Sequence, residues 1–379
     1  MRIGIDGLLL HGRYSGVEHS VEQLLQALSA RSDPHEYLVY VGRDVPRAPW
    51  QSDRVRPRPL PIPARARLLR VAATHALLHR RAEADGVEVL HGPGYVLPRG
   101  WRGAAVLTLY DLIALAHPRY CRLANRLYYR RTVPRSARAA GAVVVPSAVV
   151  RADVVRTLGV PEAKVHVVPL GVRRHMQPAD AEAVEVVRRR YELPERYGLF
   201  VGNAEPKKNL EQTLAGYHRA VLRSEATPPL VLGGGKAWGP QGAVYTRPAY
   251  AGEIRWALPV GYVADADLPA LYTGASFVLL WSLTEGFGLP ALEAMACGTP
   301  VICSDGGALP EVVGDAAEVV PLGDTSALAE AIVRLAQDED RRQELIARGR
   351  ARAARFTWEA HADRVVALYE EVGPRGRSR

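Results

Sequence analysis

Two carboxylates and a pair of lysines supply the residue types from which this sequence could build a binding or reactive site. Glu285 and Glu293 are separated by seven residues, and Lys207 and Lys208 are two of the four lysines in the chain. A carboxylate accepts hydrogen bonds from hydroxyl groups, and a lysine ammonium group neutralises phosphate charge. This combination favours a ligand that carries both sugar and phosphate groups.

The segment that joins the two glutamates is predicted to form a turn followed by a short helix. Pro290 suits the first helical position, because its missing N–H would be unsatisfied there, and Gly298 followed by Pro300 is a helix stop. The N–H groups from Phe287 to Leu289 would then lie at a helix N-terminus, a natural seat for phosphate. Two glycines in the turn would let the ligand approach the backbone closely.

The two glutamates flank that turn in a way that suits a nucleotide sugar. Glu293 lies about one turn into the predicted helix and could accept hydrogen bonds from one sugar. Glu285 precedes the turn and could reach a second sugar. One loop could therefore hold a diphosphate with a sugar on either side.

The same order of strand, glycine-containing loop and helix occurs at the start of the chain. Residues 3–9 predict a strand, the loop extends to Gly16, and Val17 to Ala30 predict a helix. Such a loop can cradle phosphate, but it can equally be a simple turn of an α/β sheet. Sequence alone leaves both interpretations open.

Polar residues end two further predicted strands of the first half. His91 follows one of these strands, and Tyr110 and Asp111 end the other. Ligands of open α/β sheets bind beyond the carboxyl ends of the strands, so these residues are site candidates. The alternative is that each is a hydrogen-bonded loop residue.

Length and composition indicate a two-domain globular protein. The chain has 379 residues, 48% of them hydrophobic, and no apolar stretch long enough to span a membrane. Asp6 interrupts any signal-peptide core. Cys121, Cys297 and Cys303 form neither a disulfide pattern nor a metal pattern, and no metal-ligand cluster is visible, so we expect a cytoplasmic protein without a bound metal.

Positive charge is concentrated in the first half of the chain. Residues 1–172 carry 25 Lys and Arg against 13 Asp and Glu, whereas the remainder carries 24 against 27. Two segments are conspicuously basic, a predicted helix from Arg65 to Ala84 and a stretch from Arg119 to Arg138. They form either a solvated surface or a contact with the anionic inner face of a membrane or an acidic acceptor. No nucleic-acid motif accompanies them.

Alternating strand and helix patterns run through both halves and predict parallel sheets. The proline-rich residues 46–63 are predicted to be a loop or crossover, and the polar residues 173–180 a linker between the halves. We therefore expect an α/β protein of two doubly wound domains.

Between Gly261 and Gly314 the chain carries an ordered series of family motifs. They are Gly-Tyr-Val, Leu-Pro-Ala-Leu-Tyr, Glu-Gly-Phe-Gly-Leu-Pro, Leu-Glu-Ala-Met-Ala, Gly-Thr-Pro-Val and Leu-Pro-Glu-Val-Val-Gly-Asp. With these motifs the chain resembles the retaining glycosyltransferases of family 4, and within them the mannosyltransferase-type enzymes of bacterial glycan assembly. The resemblance implies the GT-B fold of two Rossmann-like domains. It places an acceptor-side domain at 1–175, a nucleotide-sugar domain at 190–355, and at 356–379 a helix that crosses back to the first domain, plus a tail.

The resemblance also implies roles for residues of the second half. Glu293 would bind the nucleotide ribose, and Glu285 would contact the donor hexose. The backbone from Phe287 through Gly288 to Leu289 would hold sugar and diphosphate. Lys208 would pair with the diphosphate, and Val263 lies in the segment that holds the base. The nucleotide-diphospho-sugar would be a substrate, so no cofactor and no metal are implied.

In the first half, Gly16 corresponds to the glycine of the loop that closes on the donor phosphate. Three positions depart from the family pattern. Asn203 replaces an arginine that would be a second diphosphate cation, Tyr110 replaces a histidine before Asp111, and Trp281 replaces a proline. Tyr110 can hydrogen-bond, but it is not cationic near neutral pH. Glu285, Lys208, Tyr110 and Asp111 are the predicted catalytic set.

Three functions are compatible with this pattern. The favoured one is transfer of a hexose from a GDP- or UDP-sugar, with retention, to a hydroxyl of a glycan, a lipid-linked acceptor or a natural product. A second is a sugar-nucleotide epimerase of the same fold, which would convert the donor without an acceptor. A third is a non-catalytic nucleotide-binding relative, suggested by Tyr110 and the basic helices.

Overall fold

The computed structural model describes residues 1–12, 16–116, 123–203, 205–234 and 256–374. The chain divides into two compact units. Unit 1 is Met1–Gly171 together with the chain from Thr357 onward, and unit 2 is Val172–Phe356. No helix in the described ranges is both long and apolar enough to cross a bilayer.

Unit 1 is built on a parallel sheet of seven strands in the order β3-β2-β1-β4-β5-β6-β7. The strands are β1 (Arg2–Asp6), β2 (Glu36–Gly42), β3 (Val55–Leu60), β4 (Val89–Gly92), β5 (Ala104–Thr108), β6 (Ala142–Val145) and β7 (Val165–Val167). Its helices before the crossing to unit 2 are α1 (Gly16–Ser29), α2 (Arg67–Ala76), α3 (Leu78–Ala84), α4 (Ile113–Ala116), α5 (Leu123–Ala139) and α6 (Ala148–Leu158). The strand order reverses between β1 and β4, which makes that position a topological switch point.

Unit 2 repeats the same arrangement. Its six parallel strands lie in the order β10-β9-β8-β11-β12-β13, so the order reverses between β8 and β11. The strands are β8 (Gly198–Val201), β9 (Leu230–Gly233), β10 (Ala257–Gly261), β11 (Phe277–Leu280), β12 (Val301–Ser304) and β13 (Glu318–Val320). The helices are α7 (Ala181–Arg190), α8 (Leu210–Arg223), α9 (Leu268–Thr273), α10 (Leu289–Ala296), α11 (Leu309–Val313), α12 (Thr325–Gln337) and α13 (Glu339–Ala353). The predicted fold class, two doubly wound parallel sheets, is confirmed.

A last helix, α14 (Trp358–Val372), belongs to unit 1 and packs on α1 and β5. The Tyr369 hydroxyl lies 2.7 Å from Nδ1 of His91 in β4. The His361 ring lies 2.9 Å from the carbonyl oxygen of Pro169. These contacts attach α14 to strand β4 and to the segment that follows β7.

Two sequence predictions of local structure were wrong. The proline-rich residues 46–63 contain β3, because β3 is an edge strand that pairs with β2 alone, and an edge tolerates Pro57 and Pro59. The helix predicted over residues 65–84 is two helices that meet at Leu77. At Leu77, φ is −111° and ψ is −40°; Leu78 is buried, whereas Leu77 is exposed.

Candidate functional site

The switch point of unit 2 brings together the strongest pair of predicted site residues. Lys208 follows β8 and Glu285 follows β11, and these strands are the two neighbours at which the order reverses. Lys208 donates a hydrogen bond from Nζ to Oε1 of Glu285 at 2.6 Å. The Ser282 hydroxyl donates to the same oxygen at 2.8 Å. Both charged side chains are largely buried, at 11% and 9% exposure.

The charges around Glu285 keep it ionised. Burial by itself would raise the pKa of this carboxyl, but the ammonium groups of Lys208 and Lys207 outweigh it and lower the pKa to about 2. Lys207 Nζ lies 3.8 Å from Oε2. The cluster therefore contains a fixed negative charge beside two cations, and these groups could donate hydrogen bonds to an anionic ligand and accept them from hydroxyl groups.

Two glycines shape the loop that carries Glu285. Gly288, the residue before α10, has φ +104°, and a Cβ atom there would lie 2.6 Å from Leu309. Gly307, with φ +63°, packs so closely that a Cβ would lie 2.4 Å from the carbonyl oxygen of Glu285. The Glu285 carbonyl also accepts a hydrogen bond from Ala308 N–H at 2.9 Å. The loop after β12 thus supports the Glu285 loop, a contact that sequence analysis missed.

The predicted phosphate seat lies at the start of α10. Leu289 is the first residue of that helix and Pro290 the second, one position later than predicted, and neither residue loses a helical hydrogen bond there. The Phe287 side chain turns into unit 2, where its ring lies 5.7 Å from that of Phe356. Packing of the buried Phe287 side chain therefore fixes the backbone next to the first turn of α10.

Glu293 lies in α10 on a different set of contacts. It is 6% exposed, and Oε1 accepts a hydrogen bond from Nε of Arg173 at 2.9 Å. Arg173 also binds the carboxylate of Asp265. Burial raises the pKa of Glu293, and Arg173 opposes that rise. Sequence analysis assigned Arg173 to a linker, and the structure corrects this, because the residue is 8% exposed inside unit 2.

The remaining residues of unit 2 that the sequence analysis named are Val263, Asn203 and Trp281. Val263 is 8% exposed and lies two residues before Asp265. Asn203 is exposed at the end of β8, and its carbonyl accepts a hydrogen bond from Glu205 N–H at 2.8 Å. Trp281, one of the departures from the family pattern, is a core residue whose indole N–H donates to the Val320 carbonyl at 3.2 Å.

In unit 1, Gly16 is the first residue of α1, and a Cβ added there would meet no atom within 4 Å. Residues 13–15 of the preceding loop lie outside the described residues. The start of that loop is held by Glu18, a fully buried carboxylate that accepts hydrogen bonds from His11 N–H at 2.6 Å and Gly12 N–H at 2.7 Å. Sequence analysis missed Glu18, although a carboxylate in the first turn of a helix is a recognisable signal.

Tyr110 and Asp111 are also placed by unit 1. The Tyr110 ring lies 5.8 Å from that of Tyr95, its hydroxyl bonds to Ser20 of α1, and burial raises its pKa. Asp111 accepts a hydrogen bond from Ile113 N–H at 3.1 Å at the start of α4 and a further one from Tyr95. Ser20 links Tyr110 to the start of α1, because the Ser20 hydroxyl also donates a hydrogen bond to the Gly16 carbonyl at 2.9 Å.

His91 does not belong with these residues. It is fully buried, and its second ring nitrogen lies 2.8 Å from the Thr108 hydroxyl. Burial lowers the pKa of this imidazole to about 3, so it stays neutral. Of the two interpretations left open by the sequence, the structure favours the hydrogen-bonded residue, because both ring nitrogens contact groups of unit 1.

The switch point of unit 1 opens into a cleft of about 370 Å³. Its residues come from the ends of β1 and β4 and from α2 and α5: Asp6, Leu8, Leu9, Arg67, Leu68, Arg70, Val71, Thr74, Gly94, Val96, Tyr128 and Tyr129. Burial raises the pKa of Asp6 to about 6, while Arg70 and Thr74 oppose the rise. A mainly apolar cleft with a few polar groups is the usual form of a small-molecule site.

Comparison with known proteins assigns both halves of the chain. A family model described as Glycosyltransferase Family 4 matches residues 14–175. One described as Glycosyl transferases group 1 matches residues 187–352. The chain is 32% identical over 304 residues to the O-antigen chain mannosyltransferase B of Escherichia coli, an alignment that covers 78% of this chain and 79% of that protein.

Solved structures agree on the fold. Sucrose-phosphate synthase from Thermosynechococcus elongatus superposes with a TM-score of 0.77 at 23% identity over 98% of both chains. HepE from Anabaena, solved in complex with UDP and glucose, superposes with a TM-score of 0.72 at 17% identity over 98% of this chain and 99% of that one. At these identities the structures speak for the fold alone. The family matches and the relative aligned over most of the chain show that this protein belongs to family 4 of the glycosyltransferases, with the GT-B fold.

Proposed function

We propose that this glycosyltransferase transfers a hexose from a GDP- or UDP-sugar to an acceptor hydroxyl, with retention of anomeric configuration and without a divalent metal. The observation that carries the proposal is the buried Lys208–Glu285 pair at the switch point of unit 2. Departure of a nucleoside diphosphate builds negative charge on the leaving oxygen. Lys208, Lys207 and the amide groups at the start of α10 supply the positive potential that such charge needs.

The environment of Glu285 favours a binding role over a covalent one. A carboxylate with a pKa of about 2, engaged by Lys208 and Ser282 through one oxygen, is a weak nucleophile. It remains able to accept hydrogen bonds from sugar hydroxyls. Retention would then proceed on one face of the sugar, with a diphosphate oxygen taking the acceptor proton, as the family resemblance implies.

The choice of donor rests on the relatives. One relative aligned over 78% of the chain is a mannosyltransferase, and one structural neighbour was solved with UDP and glucose. We therefore propose GDP- and UDP-hexoses as the donors to test first. Glu293 would bind the ribose and Val263 would lie against the base, while Phe287, Gly288 and Leu289 would face the sugar and diphosphate.

The cleft of unit 1 supports an acceptor with an apolar part. Leu9, Val71 and Tyr128 line its walls, whereas Asp6 and Thr74 provide acceptors for hydroxyl groups. This chemistry fits a lipid-linked glycan or a glycosylated natural product better than a free oligosaccharide. We expect an octyl glycoside to have a lower KM than the methyl glycoside of the same sugar, and Val71→Glu to remove that difference.

The exposed leucines near this cleft support peripheral contact with a membrane. Leu68 is 85% exposed and Leu69 50%, beside the exposed Arg67 in α2, and Leu127 of α5 is 51% exposed. Apolar side chains next to arginine suit an anionic lipid surface. Sedimentation with vesicles that contain phosphatidylglycerol should recover the protein, and a Leu68→Ser, Leu69→Ser variant should stay in the supernatant.

The central experiment screens nucleotide sugars by thermal shift and then measures transfer. We expect stabilisation by a GDP- or UDP-sugar, transfer that survives excess EDTA, and an α product from an α donor. Glu285→Ala and Lys208→Ala should abolish transfer while the circular dichroism spectrum stays native. Full activity of both variants would refute the proposal. Donor conversion without acceptor would instead indicate an epimerase, and binding without any turnover a non-catalytic relative.

A further inference from the structure

Arg173 occupies an unusual position for a residue so close to the junction of the two units. It is the second residue of unit 2, yet its side chain is only 9% exposed. Nε donates to Oε1 of Glu293 at 2.9 Å, and a terminal guanidinium nitrogen binds Oδ1 of Asp265. No motif or family correspondence assigned this arginine a role.

The guanidinium joins two segments that are distant in sequence. Glu293 lies in the middle of α10, whereas Asp265 begins the short 3-10 turn that follows Val263. Under the proposed function these segments hold the ribose and the base. A planar guanidinium with several donors is suited to hold two carboxylates in a fixed geometry.

We propose that Arg173 is a positioning residue for nucleotide recognition, which orients the Glu293 carboxylate toward the ribose hydroxyls and holds the base-binding segment beside it. This inference rests on the proposed function. Arg173 acts through Glu293 and Asp265, so the contact with nucleotide belongs to those segments.

The geometry leaves Glu293 able to bind a ribose. A carboxylate has about four acceptor positions, and Arg173 uses one of them at Oε1. The Tyr272 hydroxyl approaches Oε2 only at 3.4 Å. The oxygens therefore retain capacity for two hydroxyl donors, such as the 2′ and 3′ hydroxyls of a ribose.

The charges around Glu293 predict how the pH dependence of nucleotide binding should change when Arg173 is replaced. Burial raises the pKa of Glu293, and the nearby cation opposes it. The titratable and charged groups that face this carboxyl are Arg173, Asp265, His175, Tyr272 and Cys297. Among these groups, Arg173 is positively charged throughout the pH range of the test, and it donates a hydrogen bond to Glu293. Without it, the carboxyl should take up a proton at higher pH and lose its capacity to accept two hydroxyl hydrogen bonds.

The test is calorimetric binding of UDP and GDP from pH 5.5 to 8.5. We expect Arg173→Met to weaken binding of the preferred nucleotide at least tenfold at pH 7.5 and to move the acid-side loss of binding to higher pH. Arg173→Lys should recover part of the affinity, because lysine keeps the charge but not the fork. Arg174→Met is the matched control, since the neighbouring arginine is exposed, and it should bind as the unaltered protein does.

A double variant shows whether Arg173 acts through Glu293. In a Glu293→Gln background, the further change Arg173→Met should cost much less affinity than it does alone. If Arg173→Met does not fold, as judged by circular dichroism, Arg173→Lys and its pH profile decide the question. Unchanged affinity and pH profile would overturn the inference. Tighter binding would also overturn it, because it would mean that Arg173 blocks the ribose site. If the unaltered protein binds neither nucleotide, the proposed function itself fails.

Discussion

Replacing Glu285 by glutamine tests the electrostatics of the candidate site directly. Glutamine keeps the shape of the side chain and removes the charge that Lys208 neutralises at 2.6 Å. Because Lys208 is itself only 11% exposed, it is left as a buried cation without its carboxylate. The variant should be less stable than the unaltered protein at neutral pH.

The magnitude follows from the pKa of Glu285. It is about 2 in the folded protein against an ordinary value of 4.5. Linkage converts this difference to about 3 kcal/mol of unfolding free energy at pH 7. The folded-state pKa is the lower one, so the contribution is complete above the unfolded-state value and is lost as pH falls toward 2. At pH 3 about 1 kcal/mol should remain, a loss of about 2 kcal/mol.

Urea unfolding at pH 7 and pH 3, followed by far-UV circular dichroism, measures this difference. The stability gap between the unaltered protein and Glu285→Gln should shrink by about 2 kcal/mol between the two pH values. Glu225→Gln, an exposed carboxylate of the same unit, is the control and should show no such change. A gap that is equal at both pH values, or a Glu285→Gln variant that matches the unaltered protein at pH 7, would refute the reasoning.

Two further predictions concern the scaffold. Gly307→Ala should lower stability by about 2 kcal/mol or more, because a Cβ would lie 2.4 Å from the Glu285 carbonyl oxygen and the backbone has φ +63°. Gly323→Ala is its control in thermal unfolding, since φ is +86° there but no atom lies within 4 Å, so equal losses of Tm would contradict the steric argument. Tyr369→Phe should cost about 1–3 kcal/mol in urea unfolding, because it deprives the buried His91 ring of a hydroxyl partner. An unchanged midpoint would show that this contact contributes nothing.

Sequence reasoning was most successful where a local pattern decides the outcome. The short helix after the Glu285 turn and its stop near Gly298 are predicted from neighbouring residues, and the helix forms as α10. Alternation of strands and helices likewise predicted two doubly wound sheets. Sequence reasoning failed at β3. Two prolines argue against a strand there unless the strand is known to lie at the edge of a sheet.

Sequence reasoning could not place residues whose role depends on distant partners. His91 follows the pattern of a site residue, yet its ring nitrogens bond to Thr108 and to Tyr369, which is 278 positions away. Arg173 follows the pattern of a polar linker, yet it is buried against Glu293, 120 positions away. Neither side chain carries a local signal of these partners.

The amino-acid order by itself determined most of the elements, the fold class, and the identity of the residues that flank the predicted phosphate site. Those features depend on periodicity, glycine and proline positions and short motifs, all of which are local. Only the tertiary structure decided that Lys208 and Glu285 form one buried pair and that Arg173 joins Glu293. The physical reason is that charge pairing is set by distance in space, and strand order at a switch point brings together segments that lie far apart along the chain.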